Sequence, residues 1–344
     1  MEGIHLSSEN ELLETIATPP VSQQEICDLC QEQAEKVLLF RTDVFYPKRK
    51  RFEIHSCKRC QLAVTLPRQP HSQTELYQDF RGHEGKRFYG FVEWLIHFAE
   101  KNRSREICRF RNPGAVLDVG CGRGLLLYYL KQAGWKAMGT ESGEETCRTI
   151  QQTLGVPVVA GDFRRLVLAA QRFDGIVLWH VLEHLENPAT VLEEARRLLK
   201  AEGFLIIALP NFGSLQARTF QGRWFHLSAL YHLTHFTLPS LEALTERHGF
   251  RITKTKHFFF CHNVYGWLQS FLNLCFKEQD FLFYALQRTA NAKNTRAFRL
   301  KLFLSLFLSA VFFLPSLVLA VVESLMGQGG TVELWLEKQD GGLA

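Results

Sequence analysis

The first 26 residues contain five glutamates but no lysine or arginine. A secretory signal begins with basic residues followed by an apolar stretch, so this composition argues against secretion and favours a reducing cytoplasm. Disulfides are uncommon there, and the odd number of cysteines, nine, agrees with that compartment. We therefore expect a flexible acidic segment over residues 1–24 and free or metal-bound thiols elsewhere.

The chain also lacks a strong net charge, an internal repeat and a low-complexity tract. A net charge of +5 without a clear basic face does not indicate a nucleic-acid partner. With 344 residues, of which 46% are apolar, the chain can bury a large core in one or two domains.

Four cysteines near the start form two Cys-x-x-Cys pairs, Cys27 with Cys30 and Cys57 with Cys60. Two such pairs on tight turns can close a tetrahedral zinc site. A thioredoxin-like redox site instead needs a pair beside a βαβ unit, and neither pair has that pattern around it. The segments between the pairs are rich in β-branched and aromatic residues, which predicts strands. We expect a zinc-ribbon-like module over residues 25–70 holding a structural zinc, with free thiols as the alternative.

The other five cysteines show no pairing pattern and are expected to be ordinary buried residues. They are Cys108, Cys121, Cys147, Cys261 and Cys275.

Residues 71–112 are predicted to form a helical linker or lid. Within them, Phe88, Phe91, Val92, Leu95 and Phe98 recur at helical spacing, which predicts an amphipathic helix over residues 84–103.

From residue 113 onward, short apolar runs alternate with helical patterns. Strands are predicted at 115–119, 136–141, 157–160, 173–179, 203–209 and 250–260, and helices near 123–133, 143–154, 188–200 and 238–248. This alternation predicts an α/β fold with a mostly parallel sheet covered by helices on both faces.

The run "AVLDVGCGRGLLLYYL" carries the strongest signal in the chain. An apolar strand ends at Asp118, and Gly120, Gly122 and Gly124 allow a tight turn into a helix, where a ligand can approach the backbone closely. The spacing differs from the G-x-G-x-x-G of dinucleotide-binding proteins, which disfavours a nicotinamide oxidoreductase. Glu141 ends the next strand, where it can accept hydrogen bonds from a ribose diol.

In these features the sequence resembles the class I S-adenosylmethionine-dependent methyltransferases, over roughly residues 113–260 and 330–338. The resemblance implies a Rossmann-like seven-stranded sheet formed by residues 113–260 and 329–339. It also implies that Asp118 and the three glycines border the cofactor and that Glu141 holds the ribose hydroxyls. "AGDF" then places Asp162 at the adenine amino group with Phe163 beside the ring, although Asp162 could instead be a helix N-cap.

Two further segments resemble the methyltransferase type 23 and sugar C-methyltransferase subgroup. "HVLEHL" after the fourth strand matches its His-x-x-Glu-His-Leu pattern, and residues 224–237 match its Trp, His-Leu and His-Phe-Thr positions. Ala229, Leu230 and Tyr231 replace the residues usual before His232. Some members of this group also carry a four-cysteine zinc module at the N-terminus.

Methyl transfer to oxygen or carbon needs a base that works near neutral pH, and histidine is the natural candidate. We expect the base to be His180, His232 or His235. His180 follows directly on the fourth strand and is also expected to border the cofactor.

No charged residue lies between Leu302 and Val322, a stretch that would span roughly 30 Å as a helix. A basic flank precedes it: Arg288, Lys293, Arg296, Arg299 and Lys301. A single crossing would place the predicted last strand, within residues 329–339, on the wrong side of the membrane. We therefore predict that residues 283–327 form an apolar insertion, broken at Pro315 into a shallow hairpin that enters the inner leaflet from the cytoplasm. An internal helical cover or an oligomer contact is the alternative.

The leading hypothesis is an enzyme that methylates a glycan or a lipid-linked precursor held at the membrane. The alternative is a non-catalytic scaffold that keeps the fold and uses the cysteine module and the apolar stretch to bind partners.

Overall fold

The computed structural model describes residues 25–27, 29–30, 33–44, 50–67, 90–165, 168–286 and 295–339. The predicted acidic segment 1–24, the predicted lid before residue 90, and Arg288 and Lys293 of the basic flank lie outside these ranges.

The strands are β1 (Glu25–Ile26), β2 (Gln33–Ala34), β3 (Lys36–Val44), β4 (Lys50–Cys57), β5 (Ala63–Leu66), β6 (Ala115–Val119), β7 (Lys136–Glu141), β8 (Val158–Ala160), β9 (Phe173–Trp179), β10 (Leu199–Pro210), β11 (Thr234–His235), β12 (Phe250–Lys256) and β13 (Thr331–Lys338). The α-helices are α1 (Gly90–Phe110), α2 (Leu125–Gln132), α3 (Glu144–Leu154), α4 (Pro188–Leu198), α5 (Leu215–Phe220), α6 (Leu238–Arg247), α7 (Tyr265–Cys275), α8 (Phe281–Ala285) and α9 (Arg296–Leu325). A π-helical turn, Phe260–Val264, precedes α7.

Seven strands form the central sheet in the order β12-β13-β10-β9-β6-β7-β8. The pairs among β10, β9, β6, β7 and β8 are parallel, and β13 runs antiparallel between β10 and β12. The predicted α/β class and mostly parallel seven-stranded sheet are therefore confirmed.

Helices cover both faces of the central sheet. Alternate residues of its inner strands point to opposite sides, so each side presents apolar side chains that a helix can bury. On β9, Ile176 and Leu178 pack with α4 and α6, whereas Val177 packs with α2 and α3. Continuous apolar strands of this kind are typical of a parallel sheet buried on both sides.

A second, four-stranded sheet has the order β11-β5-β4-β3. Three of its strands belong to the cysteine-bearing segment, but β11 comes from the loop between β10 and α6. Thr234 pairs with Val64 and His235 with Ala63. The cysteine module is thus joined by backbone hydrogen bonds to the loop that carries two of the predicted histidines.

The apolar insertion lies between β12 and β13, and its main element, α9, is one 30-residue helix that continues through Pro315. The predicted break into a hairpin at Pro315 is therefore wrong. A proline removes one backbone hydrogen bond, and contacts on both sides of it hold the two halves of the helix against the domain. The Phe312 ring stacks on Phe271 of α7 at 5.1 Å, and Ser316 and Ala320 are buried beyond the proline.

The alternative that this stretch is an internal helical cover is also wrong. In the most apolar 18-residue part of α9, only 11% is buried. Judged by length and composition alone, α9 is long enough and apolar enough to cross a membrane.

Two smaller predictions need correction. Strand β12 ends at Lys256 instead of residue 260, because the chain turns at His257, whose carbonyl accepts hydrogen bonds from Asn263 and Ser324. In α1, Phe91 and Phe98 were expected on the buried face, but they are exposed while Glu93 is buried. Glu93 is drawn inward by its ion pair with Arg123 in the turn after β6.

Candidate active site

The turn that follows β6, residues 120–124, is here called the glycine turn. Gly120, Gly122 and Gly124 have φ angles of +65°, +55° and +70°, a region that side chains other than glycine rarely adopt. A Cβ at Gly120 would lie 2.9 Å from Val181, and one at Gly124 would lie 2.7 Å from Ile150. A Cβ at Gly122 would meet nothing within 4 Å, so the backbone at this residue faces open space.

Two carboxylates lie beside the glycine turn at the ends of neighbouring strands. Glu141, buried at the end of β7, accepts hydrogen bonds from the backbone N–H of Gly122 at 3.0 Å and of Ser142 at 2.6 Å. Asp118 is buried near the end of β6, and burial, with Glu100 nearby, raises the pKa of its carboxyl to about 8.

Asp162 and Phe163 follow β8. The Asp162 carboxylate accepts a hydrogen bond from the backbone N–H of Arg164 at 3.0 Å and is paired with the Arg164 guanidinium. This arrangement matches the N-cap alternative for Asp162. The Phe163 ring is buried in the core on one face of the sheet, and its expected position beside an adenine ring stays a prediction.

Helix α1 lies across the glycine turn. Its Glu93 accepts two hydrogen bonds from Arg123, at 2.9 and 2.8 Å. Further along the helix, the Arg103 guanidinium lies 3.1 Å from the centre of the Trp179 ring, at the end of β9. One helix thereby covers the ends of β6 and β9 together.

At the end of β9, His180 adopts a φ of +51°, which is costly for a residue with a Cβ, by about 1–2 kcal/mol. Its Nδ1 lies 3.0 Å from Oε1 of the buried Glu183. Its Nε2 is buried and has no hydrogen-bond partner among the described residues. A carboxylate that accepts from Nδ1–H fixes the tautomer whose Nε2 carries a free lone pair.

The His180 ring belongs to a group of six rings that we call the histidine cluster: His180, His184, His226, His232, His235 and His262. His262, in the π-helical turn, stacks on His180 with ring centres 5.1 Å apart. His184 and His232 meet edge to face at 4.7 Å, and His232 lies 6.3 Å from His235. The structure thus brings together all three histidines that were predicted as candidate bases.

His232 and His235 are tied to the cysteine module through Thr65 of β5. The Thr65 hydroxyl donates to the carbonyl of His232 at 2.8 Å and lies 2.8 Å from Nε2 of His235. His184 is also engaged, because its Nδ1 lies 3.0 Å from the carbonyl oxygen of Tyr231.

Glu183, His184 and His232 offer ligand atoms within 4.8 Å of one another, close enough to hold a metal ion. Glu183 is hydrogen-bonded to His180 and is surrounded by histidine rings. We therefore interpret Glu183, His184 and His232 as part of a hydrogen-bonded network around one buried carboxylate.

Burial shapes the acid–base properties of the cluster. It lowers the pKa of His235 to about 3 and of His226 to about 4, and it holds the pKa of His232 and of His262 well below the usual value. Burial alone would raise the pKa of Glu183, but the hydrogen bond with His180 and the nearby histidines outweigh it, so this pKa is lowered. The cluster therefore contains one charged carboxylate among several neutral rings.

Sequence reasoning missed His262 and Thr65, and it included Glu183 only as part of the His-x-x-Glu-His-Leu pattern. His262 lies in no recognisable motif. Glu183 could have been found, because a histidine and a glutamate three residues apart can meet on one helical turn.

The four predicted zinc ligands also converge. The Sγ atoms of Cys27 and Cys60 are 3.6 Å apart and those of Cys30 and Cys57 are 3.8 Å apart. All four ligand atoms lie within 4.8 Å of one another, and none is in a disulfide. Zinc–sulfur bonds of about 2.3 Å in a tetrahedron require sulfur–sulfur distances close to these, so the four thiols fit a zinc ion.

The prediction for the remaining cysteines holds only for Cys147, which is buried. Cys275 is exposed, and Cys108, Cys121 and Cys261 are half-buried.

Comparison with known proteins identifies a methyltransferase domain in this chain. Residues 91–255 match the family model of a methyltransferase domain. The chain is similar to a ubiquinone biosynthesis O-methyltransferase of Parvibaculum lavamentivorans, with 29% identity over 109 residues, covering 30% of this chain and 43% of that protein. It is also similar to the ubiquinone biosynthesis O-methyltransferase of Coxiella burnetii, with 34% identity over 101 residues, covering 28% of this chain and 43% of that protein.

The chain thus spans less than half the length of these curated relatives. Among solved structures, it is similar to a SAM-dependent methyltransferase from Archaeoglobus fulgidus, with a TM-score of 0.45 and 20% identity. That match covers 78% of this chain and all of the other.

Proposed function

This chain carries a methyltransferase domain of the class I S-adenosylmethionine-dependent family, and from that premise we propose that it methylates an acceptor bound beside His180. The observation that carries the proposal is the His180–Glu183 pair at the end of β9, next to the glycine turn at the end of the neighbouring strand. In α/β sheets of this type, ligands bind at the carboxyl ends of the strands.

The residues present fit the cofactor. The backbone at Gly122 leaves room for close approach, and Glu141 lies beside it with a carboxylate that can accept from the ribose hydroxyls. When bound, S-adenosylmethionine supplies a methyl group that its sulfonium already activates. The protein then has to orient the acceptor and accept its proton.

His180 is the best placed base of the three predicted histidines. Glu183 holds the proton on Nδ1 and leaves Nε2 free to accept one. Glu183 also stabilises the imidazolium that forms when Nε2 takes the proton of the acceptor. Alignment of the acceptor by the surrounding rings can contribute on the order of 7–11 kcal/mol to the lowering of the barrier.

His232 and His235 are weaker candidates. Burial lowers the pKa of each ring, which makes it a poorer base at neutral pH, and Nε2 of His235 already lies 2.8 Å from the Thr65 hydroxyl. We assign both to positioning the wall of the acceptor site.

The acceptor is proposed to be a lipid-linked or glycan precursor held at the membrane. The exposed apolar helix α9 supports this class. The names of the relatives, which act in ubiquinone biosynthesis, favour a hydroxyl on a lipid-type molecule within it.

The four cysteines are proposed to bind a structural zinc that holds the module together. The module joins the acceptor side of the site through β11 and Thr65. Zinc therefore supports the site without contacting the acceptor.

Two measurements test the proposal. Calorimetry on the purified full-length protein is expected to show binding of S-adenosylmethionine, and mass spectrometry of membrane lipid and glycan extracts should find a species heavier by one methylene when the gene is present. Cofactor binding with extracts that are identical with and without the gene would instead support a non-catalytic scaffold.

A further inference from the structure

In helix α9 the fully buried residues are mostly polar, and the exposed residues are mostly large and apolar. Its buried residues are Ser305, Ser316, Ala320 and Glu323, of which three are polar. A helix on a protein exposed to water has the opposite arrangement, with polar residues outward. Its exposed large apolar residues are Leu300, Phe303, Leu304, Leu306, Phe307, Val311, Phe313, Leu314, Val318, Val321, Val322 and Leu325.

The polar side of α9 is fixed to the methyltransferase domain. Glu323 accepts hydrogen bonds from the side chains of Gln216 at 2.7 Å and Asn263 at 3.3 Å and from the backbone of Gly330 at 3.1 Å. Ser324 donates to the carbonyl of His257 at 3.0 Å. These bonds hold the helix against the protein, so its apolar side faces away from the domain.

Helix α1 repeats this reversal near the candidate active site. Phe91, Trp94 and Phe98 are 69%, 57% and 49% exposed, and their rings stack in a row with centres 5.5 and 5.6 Å apart. The opposite face of the same helix buries Glu93 against Arg123. We call these three residues the aromatic row.

The segment 257–264 connects the two apolar faces. It packs against both α1 and α9, and its Phe258 and Phe260 are exposed. Its His262 stacks on His180. Exposed apolar residues are therefore found on α9, on the segment that carries His262 beside His180, and on the aromatic row.

Charge indicates what this surface contacts. At the start of α9, Arg296 and Arg299 are exposed, and Lys301 is paired with Glu278. The one acidic residue of α9, Glu323, is fully buried. Cationic residues at the end of an apolar face, with the acid hidden, complement a surface of anionic lipid head groups.

We propose that α9, Phe258, Phe260 and the aromatic row together dock on an anionic lipid bilayer, with α9 lying in the plane of one leaflet. An in-plane position is required because β13 follows α9 after five residues and pairs with β10 and β12 in the domain. This inference rests on the proposed function and extends it: the acceptor reaches His180 from the membrane side of the protein.

Flotation with lipid vesicles tests the docking. Full-length protein, purified in a non-ionic detergent and diluted below the micelle concentration, is expected to float with vesicles of phosphatidylcholine and phosphatidylglycerol. Replacing Arg296→Gln and Arg299→Gln should weaken this binding about fivefold for each arginine. The double variant Phe307→Asp, Leu314→Asp should lower it more than tenfold.

Leu39→Asp is the matched control, since Leu39 is an exposed apolar residue on β3 outside the proposed surface. Circular dichroism and cofactor calorimetry confirm that each variant is folded. The docking is refuted if wild-type protein stays unbound at all lipid concentrations, or if the α9 double variant binds as the Leu39→Asp control does. Wild-type dimers that the α9 variant dissociates, without vesicle binding, would make this surface a subunit interface.

Trp94 gives a separate test of the aromatic row. Of the six tryptophans it is the exposed one, while four are buried and Trp179 is half-buried under Arg103. Adding vesicles should shift the fluorescence of the protein to shorter wavelength and make it quenchable by brominated lipids. Trp94→Phe should abolish this signal and keep flotation. Flotation without any change in Trp94 fluorescence would remove the aromatic row from the proposal.

The proposed function fails separately from the docking. Loss of cofactor binding in detergent with intact flotation would overturn the methyltransferase proposal alone. Cofactor binding and turnover of a short-chain acceptor without flotation would overturn the docking alone.

Discussion

The glycine turn and the histidine cluster lie at the ends of neighbouring strands, but they are built in opposite ways. The turn is one run of five residues whose shape follows from three left-handed glycines. The cluster draws its rings from residues 180–184, 226–235 and 262, and Thr65 of the cysteine module supports it. The turn depends on local backbone geometry, whereas the cluster depends on contacts between distant segments.

This difference predicts which variants should affect cofactor binding and which should affect the histidine cluster. A change in a distant element should leave the turn able to bind the cofactor while it disturbs the cluster. A change in the turn should weaken cofactor binding and leave the cluster in place. Four experiments test this separation.

Loss of the proposed zinc ion should have the largest effect. Structural zinc sites contribute on the order of 10 kcal/mol or more of apparent folding energy. We expect Cys57→Ser or Cys60→Ser to lose zinc and thermal stability, with turnover falling as a consequence because β11 pairs with β5. Cofactor affinity, measured by calorimetry, should change little.

Zinc content by mass spectrometry should separate these variants from Cys275→Ser, which changes an exposed cysteine away from the module. Lost turnover in a stable, fully zinc-loaded cysteine variant would contradict a purely structural zinc.

Replacement of the proposed base, His180, should have the second largest effect. His180→Ala is expected to lower the turnover number about 10²- to 10⁴-fold, because general base catalysis contributes that much. The dissociation constant for S-adenosylmethionine should stay near that of the wild type. Glu183→Gln should change the pH profile of turnover, because an amide does not stabilise the imidazolium as a carboxylate does.

His55→Ala, which removes a ring paired with Glu53 on β4, is the control for the loss of a histidine. Normal turnover by His180→Ala would return the assignment to His232 and His235.

Beside the glycine turn, Glu141→Gln at the end of β7 should reduce cofactor affinity. Hydrogen bonds to a charged group contribute about 1.5–3 kcal/mol, which corresponds to roughly 10- to 100-fold in the dissociation constant. Turnover at saturating cofactor should be nearly unchanged. Glu145→Gln, on the exposed face of α3, provides the comparison, and equal affinities for the two variants would remove Glu141 from the cofactor site.

The smallest effect is expected in the pH dependence of stability. Burial lowers the pKa of His235 to about 3, so the folded protein keeps this ring neutral where the unfolded chain, with a pKa near 6.5, binds a proton. The stabilising contribution is present above pH 6.5 and is lost as the pH falls, by about 2 kcal/mol between pH 7 and pH 5.

Urea unfolding of wild type and His235→Gln at the two pH values measures this difference, and the titration of buried acids such as Asp118 cancels in the comparison. The variant should lose less stability on acidification than the wild type. An identical loss in both proteins would show that His235 is not held neutral in the fold.

Much of the fold followed from local patterns in the sequence. The strands of the central sheet were predicted because continuous apolar runs between helical segments are characteristic of buried parallel strands. The glycine turn was predicted because three glycines after an apolar strand allow positive φ angles. The two cysteine pairs were predicted to meet because their spacing suits one tetrahedral site.

The acceptor side of the site was harder to predict from the sequence. His180, His232 and His235 were identified as candidates, but their different surroundings were not. His262 and Thr65 became visible only when residues far apart in the chain were brought together, since ring stacking and hydrogen bonds to a distant strand leave no periodic pattern.

The sequence by itself determined the central sheet, the glycine turn and the composition of the two unusual helices, because these follow from short-range backbone preferences and residue type. Tertiary structure alone decided which histidine is paired with Glu183 and that Pro315 leaves α9 unbroken. It also decided that α1 buries Glu93 and α9 buries Glu323, while both helices expose several large apolar residues. Composition gives a helix its apolar residues, but the face they occupy depends on which partners, Arg123 for Glu93 and Gln216 for Glu323, the fold places beside it.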